Sequence, residues 1–152
     1  MGVRLTDDEA WSELAAAHTG ILTTLRRDGR PVPLPVWFVA LDRRIYVRTP
    51  ARTRKVEHVR HDPRATFLVE RGERWAELCA VMVHADVTLL DAGPERDAVE
   101  TAITEKYTSF RTESAQLPDA TRAHYAVESA VLRLTPVGRL VTWDNSKLRP
   151  QQ

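Results

Sequence analysis

The stretch Tyr-Val-Arg-Thr-Pro-Ala-Arg-Thr-Arg-Lys-Val-Glu-His-Val-Arg-His-Asp-Pro-Arg-Ala, Tyr46–Ala65, combines a strand end, a basic loop, a short helix and an Asp-Pro stop. The loop brings hydroxyl and cationic side chains to the predicted helix start, where backbone N–H groups lack intrahelical partners. The helix dipole adds to the attraction for an anion there. The pattern therefore predicts a phosphate-binding turn; a solvated basic face is the alternative. The turn comprises Arg48, Thr49, Arg52, Thr53, Arg54 and Lys55.

The composition is that of an ordinary globular protein. The chain has 152 residues, of which 43% are hydrophobic and 28% charged, and this predicts a single domain over residues 1–152. A net charge of +1 argues against the whole molecule being a nucleic-acid binder. The one cysteine, Cys79, excludes an intrachain disulfide. With no signal peptide and no apolar stretch of membrane length, we expect a cytoplasmic protein without membrane contact.

Local signals around this stretch predict a mainly β, α+β chain. Upstream, a Thr-Asp-Asp-Glu capping box at Thr6 begins a helix that ends near His18. Three strands follow and are expected to form a meander with turns at Arg27–Arg30 and Asp42-Arg43. These strands are Gly20–Leu25, Pro31–Ala40 and Arg44–Thr49.

Downstream, periodicity and stop signals continue the pattern. We expect helices over Thr53–Arg60 and from Pro94, and a polar tail over residues 144–152. Short turns between most strands favour an antiparallel barrel of about six or seven strands with a few flanking helices. The downstream strands are Arg64–Glu70, Trp75–Leu90, Ala130–Leu134 and Val137–Thr142.

Prolines alternate in the second predicted strand, at Pro31, Pro33 and Pro35. Since proline has no N–H group, one side of this strand cannot donate hydrogen bonds to a neighbour. We expect that side to border a loop, a partner or a ligand. Protection of a sheet edge against aggregation is the alternative.

Three motifs carry a resemblance to a known family. They are Gly-Ile-Leu-Thr-Thr-Leu…Asp-Gly-Arg-Pro (Gly20–Pro31), Pro-Val-Trp-Phe (Pro35–Phe38) and Val-Arg-His-Asp-Pro-Arg-Ala (Val59–Ala65), with Lys55 before the last. Together they resemble the pyridoxamine 5′-phosphate oxidase-like split β-barrel family. Within it, they are similar to the flavin- or deazaflavin-dependent (coenzyme F-420) oxidoreductases. The resemblance covers residues 8–143.

The resemblance implies a homodimer with two equivalent sites at the subunit interface, each holding FMN or F-420. By position, Thr53 and Lys55 match the family's phosphate-binding loop, and Arg60 matches the arginine of its Asp-Pro motif. Arg52 and Arg54 depart from the small residues common in that loop. Their added charge would suit a more anionic ligand, such as the glutamylated tail of F-420.

The resemblance also implies contacts with the cofactor ring. Pro35, Val36 and Trp37 match the strand whose backbone lies along the ring. Trp75 falls where family members often place a residue near the cofactor, and Trp143 lies in the C-terminal segment that approaches the neighbouring chain's cofactor. For Trp37 and Trp75, packing is the alternative.

The function implied is an oxidoreductase that transfers hydride from F-420 or FMN to a small conjugated or aromatic acceptor. Because the cofactor carries that chemistry, no catalytic side chain is predicted. The alternatives are an FMN-dependent pyridoxamine-phosphate-oxidase-like enzyme and a non-catalytic flavin- or haem-binding module. No nucleophile elbow, dinucleotide fingerprint or P-loop occurs. His58 and His61 lack a third ligand and are interpreted as surface histidines, so no metal site is predicted.

Overall fold

The computed structural model describes residues 3–113, 116–121 and 128–148. Its helices are α1 (Asp7–Ala16), α2 (Arg54–His61) and α3 (Pro94–Tyr107), and residues 119–121 are also helical. Short 3-10 helices lie at Trp75–Glu77, Thr108–Phe110 and Asn145–Leu148. The strands are β1 (Gly20–Leu25), β2 (Pro31–Val36), β3 (Phe38–Leu41), β4 (Arg44–Pro50), β5 (Arg64–Arg71), β6 (Cys79–Leu89), β7 (Ser129–Pro136) and β8 (Val141–Asp144).

The strands form one antiparallel sheet whose order brings its two ends together. The order is β2-β1-β5-β6-β7-β4-β3, with β8 paired to β6. The terminal strands β2 and β3 are consecutive in the chain, with only Trp37 between them. The chain itself therefore joins the two edges of the curled sheet, which forms a half-barrel. This confirms the predicted α+β class and antiparallel barrel.

Two expectations about the first strands are wrong. The predicted strand Pro31–Ala40 is two strands, and the expected meander does not form, because β2 pairs with β1 whereas β3 pairs with β4 at the other end of the sheet. The sheet consequently has eight strands. The chain bends at Trp37, whose indole stacks on the ring of Tyr107 in α3 at 4.3 Å and 5°. A contact 70 positions along the chain leaves no local signal.

Both predicted turns exist, and the two-residue hairpin geometry occurs at Asp42-Arg43 rather than at Asp28-Gly29. In the β1–β2 turn, Gly29 has a positive φ of 82° while Asp28 does not, so this turn is not the two-residue Asp-Gly type. Asp42 and Arg43 have φ values of 49° and 56°, which is the signature of a two-residue type I′ turn between β3 and β4.

The proline side of β2 faces no strand within the described chain. Leu34 lies opposite Leu22, and Pro33 opposite Thr23, in the ladder with β1. Since only the residues between the prolines can donate into that ladder, the prolines turn their unpaired side outward from the sheet end. This confirms that the strand has an unpaired side, and Leu34 is 42% exposed there.

The core lies inside the curl and under α1 and α2. Thr6 forms the predicted capping box with Glu9. Val56 and Val59 of α2 are buried, as are alternate residues of β5 and β6. Gly20 begins β1 directly against the ring of Phe67, so any side chain at that position would collide with the core.

The predicted strand Trp75–Leu90 begins later than expected. Trp75 lies in a 3-10 helix, and β6 starts at Cys79. Likewise, the last strand spans Val141–Asp144 rather than Val137–Thr142, and it places Trp143 opposite Ala80. The predicted polar tail continues as a 3-10 helix, and its residues 149–152 lie outside the described residues.

Candidate functional site

The end of β4 and the start of α2 form a corner that contains the central predicted residues. Thr49 is buried near the end of β4, and Thr53 is the N-cap residue of α2. The Nζ of Lys55 donates a hydrogen bond to the Oγ1 of Thr49 over 3.1 Å. Lys55 is half-buried, and burial lowers the pKa of its amine. Lys55 has no carboxylate partner among the described residues.

Thr53 leaves this corner short of hydrogen bonds. Its side chain makes no capping bond to α2, and its buried Oγ1 has no partner within the described chain. A buried hydroxyl without a partner is unfavourable and uncommon. The first N–H groups of α2 also point toward this corner, as at every helix start. The corner therefore offers an amine, a hydroxyl and backbone N–H groups, which fit a phosphate group.

Three further arginines from the sequence prediction lie at the two ends of α2. Arg52 and Arg54 border its start, and Arg60 lies in its last turn. All three are exposed. None forms a salt bridge within residues 3–113, 116–121 and 128–148. They therefore contribute positive charge around the corner without being committed to a protein partner.

A cavity of about 490 Å³ adjoins the corner. Thr49 belongs to both, because its hydroxyl contacts Lys55 and the residue also lines the cavity. Trp37 lies on the cavity wall, so the structure brings the Trp37 bend and the end of β4 to one place. The described lining consists of Trp37, Arg48, Thr49, Pro50, Ile103, Arg111, Thr112, Leu117 and Ser129.

The other predicted residues have different surroundings. Arg48 lines the cavity, but its guanidinium is directed to Glu100 of α3, at 3.4 Å. Pro35 is exposed and Val36 half-buried on β2, leading directly into Trp37. Trp75 is 67% exposed, and Trp143 is half-buried on β8; neither lines the cavity within the described chain. Cofactor contact by these residues stays a prediction.

A polar cluster beside Trp37 has no signal in the sequence. Lys106 donates to the carbonyls of Ala17 (2.7 Å) and Phe38 (3.0 Å), and its amine lies 4.0 Å from the centre of the Phe38 ring. The Tyr107 hydroxyl accepts from the Phe38 N–H over 2.9 Å. Tyr107 is fully buried, and no local signal showed which backbone groups it would reach.

The histidines of α2 also differ from expectation. His58 is half-buried rather than a surface residue, and its Nδ1 lies 2.8 Å from the hydroxyl of buried Thr24. Burial lowers the pKa of His58. His61 is half-buried as well. The His58 contact attaches α2 to β1, and the described residues contain no group of three or more His, Cys, Asp or Glu placed to hold a metal ion.

The fold and this corner define a class of half-barrel proteins. A family model for pyridoxamine 5′-phosphate oxidase matches residues 6–138. The chain belongs to this family.

Solved structures share the fold. A conserved hypothetical protein from Mycobacterium tuberculosis has a TM-score of 0.79 and 24% identity, covering 97% of this chain and 91% of its own. An FAD-binding protein from Mesorhizobium loti has a TM-score of 0.69 and 19% identity, with coverages of 91% and 94%. The heme storage protein HutZ from Vibrio cholerae has a TM-score of 0.68 and 17% identity, with coverages of 94% and 96%. At such identities the likeness establishes the fold alone.

None of the described helices is both long and apolar enough to span a membrane.

Proposed function

We propose that this protein is an oxidoreductase that holds a flavin-type cofactor, F-420 or FMN, by its phosphate at the β4–α2 corner. The observation that carries the proposal is the unsatisfied Thr53 hydroxyl beside the Lys55–Thr49 contact. An anionic oxygen placed between them would supply acceptors that the protein lacks. Family membership and the FAD-binding relative of the same fold support a flavin-type group.

The residues divide into distinct tasks. Lys55 would supply a point charge to the phosphate, and Thr49 and Thr53 would donate hydroxyl hydrogen bonds. Trp37 and the backbone of Pro35 and Val36 would border the ring, which the adjoining cavity has room to receive in part. When bound, the cofactor supplies hydride transfer to a small conjugated or aromatic acceptor.

Free positive charge favours F-420 over FMN. Arg52 and Arg54 are exposed next to the corner and have no salt-bridge partner in the described parts of the chain. FMN ends at its phosphate, whereas F-420 continues into a glutamylated tail that carries further carboxylates. Arginines at the mouth of the site would bind those carboxylates.

A homodimer completes the proposed site. The end strand β2 exposes its proline side and Leu34, and Trp37 beyond it is 38% exposed. A second copy seated there would cover these apolar groups and would bring partner residues to the ring. Sedimentation of a monomer at micromolar concentration would contradict this part of the proposal.

Titration of the purified protein with F-420 and with FMN, followed by absorbance and fluorescence, tests the proposal. We expect Lys55→Ala to weaken cofactor binding about ten- to a hundredfold, as for a lost charge-assisted contact of about 1.5–3 kcal/mol. Arg27→Ala, in the exposed β1–β2 turn, is the matched control and should bind as the wild type does.

Three results would overturn the assignment. Equal cofactor affinity in Lys55→Ala would show that the corner is only a basic surface. A Soret band without flavin binding would indicate a haem-binding module instead. Binding without oxidation of the reduced cofactor by any aromatic acceptor would indicate a carrier rather than an enzyme.

A further inference from the structure

Glu100 of α3 lies between two arginines. Its Oε2 is 3.4 Å from Nη1 of Arg48 on β4, and its Oε1 is 3.5 Å from Nε of Arg96 one helical turn earlier. All three side chains are about a quarter to a third exposed, at 33%, 32% and 22% respectively. One carboxylate thus serves two guanidinium groups, and both distances exceed those of strong ion pairs, about 2.7–2.9 Å.

Arg96 is fixed independently of Arg48. Its Nη2 donates to the carbonyl of Ser129 over 2.7 Å, and its Nη1 donates to the carbonyl of Leu90 over 3.3 Å. Glu100 therefore keeps a cationic neighbour if Arg48 turns away. This avoids the penalty of leaving a partly buried carboxylate unpaired. Arg48 is the member of the trio that can move.

The side chain of Arg48 contacts α3, whereas the phosphate corner is formed with α2. Consecutive residues of a strand point to opposite faces. Accordingly, Thr49 contacts Lys55 of α2, while Arg48 contacts Glu100 of α3. Yet both line the cavity, so Arg48 can reach a molecule that lies beside a cofactor anchored at the corner.

The cavity suits a flat anion. Its charged described lining consists of Arg48 and Arg111, with no acidic residue among the lining residues that the structure describes. Trp37, held in place by its stack on Tyr107, gives the cavity wall an aromatic edge beside the proposed position of the cofactor ring. Guanidinium groups bind carboxylates through paired hydrogen bonds, and aromatic rings also pack edge to face against one another.

We infer that Arg48 is a specificity-determining residue that selects a planar anionic acceptor, such as an aromatic carboxylate, by exchanging Glu100 for the acceptor's anionic group. Glu100 is a positioning residue that keeps Arg48 at the cavity wall and competes with the anion. The inference rests on the proposed function, because it assigns the acceptor for the same site.

The test compares two probes of equal shape, 2-naphthoate and neutral 2-naphthamide, by calorimetric titration into protein saturated with whichever cofactor binds. The wild type should bind naphthoate about tenfold more tightly, the effect of one charge-assisted contact. Arg48→Gln should remove this preference, and Arg48→Lys should keep part of it. Glu100→Gln should strengthen naphthoate binding severalfold and leave naphthamide unaffected. Glu95→Gln, on the same helix but paired with Arg133, is the matched control.

Loss of the naphthoate preference in Arg48→Gln, together with stronger naphthoate binding in Glu100→Gln, would identify the exchange. Equal wild-type affinities for the two probes would overturn the inference. So would a loss of naphthoate binding in Glu100→Gln equal to that in Arg48→Gln, since both changes would then act through structure. Cofactor titration tests the proposed function separately. If no cofactor binds, the proposed function fails. The preference for naphthoate over naphthamide, measured without cofactor, then still shows whether the cavity selects an anion.

Discussion

Two half-buried lysines, Lys55 on α2 and Lys106 on α3, have similar burial and different surroundings. Lys106 donates to two backbone carbonyls and lies over an aromatic ring, whereas Lys55 contacts a single hydroxyl. Neither has a carboxylate partner within the described ranges. An ammonium group has three protons to donate. Lys106 commits its donors to the fold, whereas Lys55 makes one side-chain hydrogen bond within the described residues.

The neighbouring hydroxyls repeat this difference. The Tyr107 hydroxyl accepts from the Phe38 N–H, and its single proton is within donating distance of the carbonyls of His18 (2.7 Å) and Phe38 (2.9 Å). The buried Thr53 hydroxyl has no partner among the residues described. The Tyr107 region should therefore determine stability, and the Thr53 region should determine binding.

The largest effect on this comparison should come from Tyr107→Ala. Tyr107 is fully buried and supports the Trp37 bend that joins the sheet edges. We expect the free energy of unfolding in urea to fall by about 3–5 kcal/mol. Tyr107→Phe should lose about 1–3 kcal/mol, because it leaves the Phe38 N–H without its acceptor. Phe110→Ala, at a 55% exposed ring, is the control and should lose less than about 1 kcal/mol. A similar loss in the control would show that Tyr107 is not special.

Matched substitution of the two lysines tests the comparison directly. Lys106→Met should lower the free energy of unfolding by about 1–2 kcal/mol, because carbonyl contacts and the contact with the Phe38 ring disappear. Lys55→Met should change it by less than about 0.5 kcal/mol, since only one hydroxyl contact is lost. Denaturation of both variants without cofactor gives the answer. Equal losses would remove the distinction between a structural and a binding lysine.

The pH dependence of stability should reveal the half-buried amine of Lys106. Burial lowers the pKa of its amine from 10.5 to about 8 in the folded protein. Between pH 8 and pH 10.5 the unfolded chain binds more protons at this group than the folded chain does. The contribution of Lys106 to the free energy of unfolding therefore rises across that range, and below pH 8 this gain is absent. After discounting for solvent around the amine, we expect about 1 kcal/mol. The difference between the profiles of wild type and Lys106→Met isolates this contribution. Parallel profiles would contradict it.

The smallest stability change is expected for Thr53→Val. The substitution removes a buried hydroxyl that has no partner and makes no capping bond, so the free energy of unfolding should stay within about 0.5 kcal/mol or rise. Cofactor affinity should nevertheless fall severalfold, as a phosphate contact is lost. Unaltered cofactor affinity together with a marked loss of stability would reverse the role assigned to Thr53.

Much of the fold and part of the candidate site could be predicted from short-range patterns. The Thr6 capping box, the Asp62-Pro63 stop and the alternation in β5 and β6 depend on neighbours within a few residues. The clustering of Thr49, Thr53 and Lys55 is equally local, since they lie within seven positions. The split at Trp37, the cavity wall from α3 and the Arg48–Glu100 pair could not be predicted, because each joins distant parts of the chain.

The sequence by itself determined most of the helices and strands, although not the split at Trp37, and it determined where a basic, hydroxyl-rich turn would meet a helix start. Hydrogen bonds and periodic burial over a few residues are sufficient for that. Only the tertiary structure decided that β2 and β3 lie at opposite ends of one sheet and meet again at Trp37. It also decided that Lys106 contacts two backbone carbonyls while Lys55 contacts a single hydroxyl. Such decisions depend on burial and pairing among segments far apart in the chain, which no local pattern encodes.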